Sequence, residues 1–211
     1  MEKMLHVCQR TLNGSDIFYE LEDYLVFFSI FAKVSEKYKI RIVGLCIMTA
    51  RMHYFIDADS EEEVCRFVSH FTSVFVKMYN EDAGRKGSLF ESPFCRVWID
   101  GPEKIGSSMA CVLNNPVEKG LCRKMEEYRW SFIAYATDNN PFSSHVRLRD
   151  SSKAFRNAIA EITRVSDSGL WLNFTRVRRL LSNLSEEDRQ RLTDHIICCY
   201  NLIDYSYSIS Y

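Results

Sequence analysis

The sequence predicts an α+β domain whose elements run β-α-β-β-α-β, followed by one more helix and an all-helical C-terminal part. Three observations predict it. Short segments with two-residue alternation and many β-branched side chains flank longer ones whose apolar residues return every three or four positions. Glycine, proline and asparagine punctuate the boundaries between them. Beyond about residue 140 only the helical period persists.

Residues 4–12 (MLHVCQRTL) read as the first strand, closed by a turn at Asn13–Gly14. From Glu22 to Tyr38 the spacing of Leu25, Phe28, Phe31 and Val34 predicts a helix. KIRIVGLCIMT reads as the second strand and RMHYFIDA as its hairpin partner. Alternation then places Met52, Tyr54 and Ile56 on one face, and Arg51, His53 and Phe55 on the other. Ser60 followed by Glu63 predicts a capping box. The stripe Val64, Phe67, Val68, Phe71, Val74, Phe75 and Met78 predicts an amphipathic helix ending near Asn80, before the loop EDAGRKG. A fourth strand is expected over about Phe90 to Asp100. Gly101–Pro102 then opens a helix that Asn115–Pro116 should end, since proline interrupts a helix interior.

This order is the ferredoxin-like split pattern with an additional helix. It predicts a domain over residues 1–138 and a helical extension over 139–211, joined by the polar stretch NNPFSSH. Helices are expected from Ser152 to Val165, from Asn173 to Leu181 and from Ser185, where Glu186, Glu187 and Asp188 suit the helix dipole. The apolar, aromatic end NLIDYSYSISY is unlike the polar, frayed terminus of most domains, and predicts that the chain is a fragment.

Of the 211 residues, 46% are hydrophobic and 26% charged, which is globular composition. No apolar run is long enough to span a bilayer, and MEKMLHVCQRTL lacks a signal-peptide profile, so a cytoplasmic protein without a membrane partner is expected. The eight cysteines have no zinc-type spacing and read as reduced, packed thiols. Basic residues number 27 and acidic 28, for a net charge of -1. A nucleic-acid site must therefore be a local patch.

Two segments carry the chemistry. IMTARMHYFI (47–56) resembles the metal-binding strand of the single-tyrosine HUH transposases, usually Met-Pro-Asn-His-x-His, and CVLNNPVEKG (111–120) resembles their catalytic helix, usually Tyr-Ile-x-x-Asn-Pro-Val. HVCQRTLNGSDIFYELEDY, YNEDAGRKGSLFESPFCR and EEYRWSFIAY are similar to further motifs of that family in the same order, so the resemblance covers residues 4–136. It implies an enzyme of DNA transposition, of the insertion-sequence and REP-associated types, that recognises single-stranded DNA hairpins. In such proteins two histidines and a polar helix residue hold a divalent cation, Mg or Mn, while a tyrosine attacks the phosphate. Homodimers are also implied.

Carried onto this chain, the resemblance places His53 and Asn115 at metal positions, Arg51 at the other histidine position and Cys111 at the tyrosine position. A guanidinium has donors only. At about 4 Å and an effective dielectric of about 20 it would repel a divalent ion by roughly 8 kcal/mol. The expectation is a transposase-like protein that keeps binding to single-stranded or hairpin DNA, has lost strand cleavage and uses no metal. Arg51 either grips a phosphate, or faces solvent, or pairs with an acid such as Asp57 or Asp59. Cys111 is either a nucleophile or a small packed residue. Arg51, Arg85, Lys86, Arg96, Lys119 and Arg123 are the candidate DNA contacts. Two rivals stay open: a metal-dependent transposase or nuclease with an atypical nucleophile, and a regulatory protein-interaction module, which the near-neutral charge favours.

Overall fold

A computed structural model describes residues 3–145 and 147–206. Its elements are β1 (Lys3–Arg10), α1 (Leu21–Ser35), β2 (Ile40–Met48), β3 (Arg51–Ala58), α2 (Glu61–Asp82), β4 (Cys95–Asp100), α3 (Pro102–Glu118), α4 (Lys153–Asp167), α5 (Phe174–Ser182) and α6 (Glu186–Tyr200). The strands form one antiparallel sheet in the order β2-β3-β1-β4. The β-α-β-β-α-β order, the extra helix α3 and the helical C-terminal part all match the expected ferredoxin-like architecture.

Side-chain alternation decides what each face of the sheet buries. Leu5, Val7, Met52, Tyr54 and Ile56 are fully buried. On this face the Tyr54 ring meets Phe31 of α1 and Phe71 of α2, with centroids 5.2 and 5.7 Å away. Phe27, Phe67 and Phe75 extend the cluster through edge-to-face contacts, the arrangement ring quadrupoles favour. Gln9 is buried on the same face and is satisfied: it donates to Thr72 Oγ1 (3.0 Å) and accepts from the Tyr54 hydroxyl (2.9 Å). A buried amide without such partners would cost roughly 1–3 kcal/mol.

The other face lies under α3, which buries Ile105, Met109, Val112 and Leu113. Gly44 makes the close approach possible. A Cβ there would sit 3.2 Å from Phe55 and 3.4 Å from Met109.

Several boundaries differ from expectation. Pro116 lies inside α3, which continues to Glu118. Proline removes only its own N–H, and the later turns close through Lys119 N to Asn115 O (3.0 Å) and Leu121 N to Pro116 O (2.9 Å). The helix ends instead at Gly120, whose φ of 69° suits a glycine cap. The fourth strand starts at Cys95, not Phe90, since Pro93 has no N–H for the ladder; Phe90 keeps one isolated bridge to Thr11. Ser60 caps α2 as expected, but Glu63 turns away to accept from Lys39 N and to pair with Arg66.

The stretch read as a linker is packed. Phe142 lies beneath the Arg129 guanidinium (4.6 Å) and Ser143 donates to Asp194 Oδ2 (2.6 Å). Asp194, on α6, is 0% exposed and also accepts from the Tyr135 hydroxyl (2.6 Å). Arg129 Nη1 lies 2.9 Å from it, close enough for charge pairing though not aligned as a hydrogen bond. On the other side, Leu172 N donates to Ser29 of α1 (3.0 Å), and Arg178 pairs with Asp82. Ile203 bridges to Ile42, so part of the apolar C-terminal segment lies along β2. Residues 207–211, which complete the aromatic end, lie outside the described residues.

Gly44→Val should overpack the α3–sheet contact and lower stability by about 1–3 kcal/mol in denaturant melts. Asp194→Ala should cost about 3 kcal/mol or more, because it leaves the Arg129 charge beside a dry cluster without its partner.

Candidate functional site

Strand register builds a row of side chains across the face beneath α3. Cys46, His53, Cys8 and Cys95 are successive cross-strand partners on β2, β3, β1 and β4. One step along, Met48, Arg51 and Arg10 form the next row. Two arginines directly opposite each other on antiparallel strands repel. Arg51 makes no ion pair among the described residues; Asp57, one of its expected partners, is taken by Arg41.

Beside these arginines the surface opens into a cavity of about 520 Å³, whose walls include Arg10, Arg51, Lys119, Asn115, Thr11, Thr49 and Glu91. Each wall has a local cause. Thr11 is tied to the β2–β3 turn by its N–H and its hydroxyl, both donating to Ala50 O at 3.1 Å. Ile17 N donates to Thr49 O (3.0 Å), so residues 11–17 are fastened along that turn. Asn115 and Lys119, one helical turn apart, are presented by the end of α3. The cavity has three basic side chains and one carboxylate, and its chemistry suits an anion.

His53 takes no part in the cavity wall. It is 6% exposed, with Nδ1 3.0 Å from His6 Nε2 and Nε2 4.0 Å from Cys8 Sγ. Burial, then the charges of His6, Arg51 and Arg10, lower its pKa to about 3, so the imidazole is neutral near pH 7. Burial likewise raises the Cys8 thiol, with Arg51 opposing. Among the described residues no group of three or more His, Cys, Asp or Glu side chains is placed to hold a metal ion. With guanidinium groups in the cavity, His53 turned to His6 and Cys8, and Asn115 the lone neutral amide of the lining, the donors present do not fit a divalent cation.

Cys111 is exposed on α3, one turn before Asn115, and is outside the cavity wall. Tyr128 and Tyr135 are buried, and their hydroxyls donate to Ile47 O and Asp194 Oδ1. Of the candidate DNA contacts, the fold brings Arg51 and Lys119 together. Arg85 lies on the other side of the 11–16 segment, held by Asn80 Oδ1 (3.0 Å) and Ser88 O (3.3 Å). Lys86 and Arg123 are exposed and lie outside the wall of this cavity. Arg96 pairs with Glu61 at the start of α2, on the opposite face of the sheet. Sequence reasoning missed Arg10. Its alternation with His6 and Cys8 was readable, but its partner on β3 was not.

The buried, neutral imidazole has a pH consequence. The unfolded chain takes up a proton near pH 6.5 and the folded chain only near pH 3, so stability should fall as pH drops through that window. His53→Gln should flatten the pH dependence of the unfolding free energy between pH 6.5 and about 5, measured by denaturant titration at each pH; an unchanged slope would mean that His53 titrates normally.

No family model matches the chain, and no curated protein matches it. Among solved structures, one described as the structure of the REP associates tyrosine transposase bound to a REP hairpin is similar to 64% of this chain and 78% of its own, at 14% identity and a TM-score of 0.49. A likeness at that level assigns no chemistry to this chain.

Proposed function

We propose that this protein binds the phosphate backbone of single-stranded or hairpin DNA in the Arg10–Arg51–Lys119 cavity and does not cut it. The observation that carries the reading is the juxtaposition of Arg10 and Arg51 as direct cross-strand partners, in a cavity whose lining also includes Lys119 and one carboxylate. Their mutual repulsion is relieved when an anion lies between them, and a guanidinium matches phosphate oxygens bidentately. The motif resemblance over residues 4–136 supplies the DNA class. Loss of cleavage is supported by the exposed Cys111 outside the cavity and by a buried, neutral His53 already bonded to His6. Arg51, at the position of a histidine in the resembled motif, then serves as a fixed charge for the phosphate in place of a cation.

Fluorescence anisotropy with a pool of labelled DNA hairpins, titrated across salt with and without manganese, tests this. Binding at micromolar concentrations or tighter is expected, with log affinity falling against log salt at a slope of about −2 for three phosphate contacts on a single strand. Manganese should change nothing, and Arg51→Glu should weaken binding by roughly tenfold or more. Manganese-dependent nicking would restore the enzyme reading. No binding at low salt would favour the protein-interaction module.

A further inference from the structure

On the far side of the 11–16 segment lies a second cavity, of about 370 Å³, with walls that include Ile17, Tyr19, Tyr79, Leu89, Asp16 and Arg85. Its character differs from that of the basic cavity. Ile17 and Leu89 are buried and give it an apolar floor. Tyr19 stands at the wall 68% exposed, more than any other exposed large apolar or aromatic side chain described. It is not frayed: Asp23 Oδ2 accepts from the N–H groups of both Tyr19 and Glu20 at 2.8 Å, fixing the backbone that carries the ring. Asp16 would repel a phosphate there, while Arg85 is already held by Asn80 and Ser88.

Resting on the proposed phosphate site, we infer that this second cavity receives an unpaired nucleobase of the strand whose phosphate occupies the first. The two cavities share one stretch of chain: Thr11 and Gly14 face the basic one, and Leu12, Asn13 and Ser15 face the other. That stretch is a tight turn closed by Gly14 N to Thr11 O (3.1 Å) and Ser15 N to Leu12 O (3.2 Å). A strand crossing it leaves its charge on the arginine side and places a neutral, flat ring on the tyrosine side. Tyr19 offers the stacking surface. The Asp16 carboxylate accepts from an exocyclic amine, as carboxylates do from cytosine N4. A cavity of this size, mostly apolar with a few polar groups, is within the range for small-ligand sites. Paired bases are withheld inside a duplex, so the cavity selects single strands or hairpin loops.

The test compares the unaltered protein with Tyr19→Ala, Tyr19→Phe and Arg51→Glu. The probes are a pool of short single-stranded oligonucleotides, an abasic strand of the same length, and a blunt duplex. Tyr19→Ala should weaken binding to the base-bearing strands by roughly 5- to 150-fold. It should leave the salt slope and the affinity for the abasic strand and the duplex unchanged, and Tyr19→Phe should keep nearly full affinity. Tyr19→Ala binding as tightly as the unaltered protein, or losing equally on the abasic strand, would overturn the nucleobase site while the phosphate reading stands. If Arg51→Glu changes nothing, or the unaltered protein binds no strand, the phosphate reading fails and the nucleobase site with it. Because Tyr19 is exposed, its replacement should leave the melting temperature unaltered, so lost binding is not lost folding.

Discussion

The register of β1 between β3 and β4 is the constraint on which the rest depends. A strand hydrogen-bonded on both sides has its side chains sorted strictly by parity, so a slip of one residue would expel Leu5 and Val7 from the aromatic core and drive Arg10 into it. Polar contacts hold the register as firmly as apolar ones. Gln9 reaches Thr72 on α2 and receives the Tyr54 hydroxyl from β3, so a slipped strand would leave buried amide groups unpaired. The same register sets Arg10 against Arg51. The core dictates the repulsive pair, and the charge concentration at that end of the sheet is a by-product of burying the other face correctly.

A second network, remote from the cavities, joins the helical C-terminal part to the sheet-bearing part. Asp194 accepts hydrogen bonds from Tyr135 and Ser143 and pairs in charge with Arg129 in a dry setting. Burial and the neighbouring carboxylate keep the Tyr135 hydroxyl protonated well beyond its ordinary range, so it stays a donor. α5 and α6 lie against α1, and none of the side chains lining the basic or the aromatic cavity comes from α4, α5 or α6.

Burial, His6 and the two arginines at positions 51 and 10 together set the electrostatics under α3. A guanidinium beside the row of Cys46, His53, Cys8 and Cys95 disfavours any further positive charge there, which adds to burial in keeping His53 neutral. It also disfavours a bound cation and favours an anion. Arg51 and His53 share one strand face, so the first presents a charge to the cavity while the second becomes part of the packing.

The sequence by itself determined the element order, the strand faces and most helix starts. Those depend on local periodicity and on capping residues such as Ser152, Asn173 and Ser185, each of which accepts a backbone N–H of its own first turn. It misjudged Pro116, because a missing N–H near a helix end can be bypassed by later donors, and it read the stretch around Phe142 as linker, because its polar residues find partners far away in sequence. It supplied Arg51, Asn115 and Lys119 but not Arg10 or Tyr19. Which cations share a cavity is decided by strand pairing across more than forty residues, and whether an aromatic ring stays exposed is decided by what packs beside it. Such facts belong to tertiary structure, since a charge or a ring acquires its role only from the neighbours that folding brings to it.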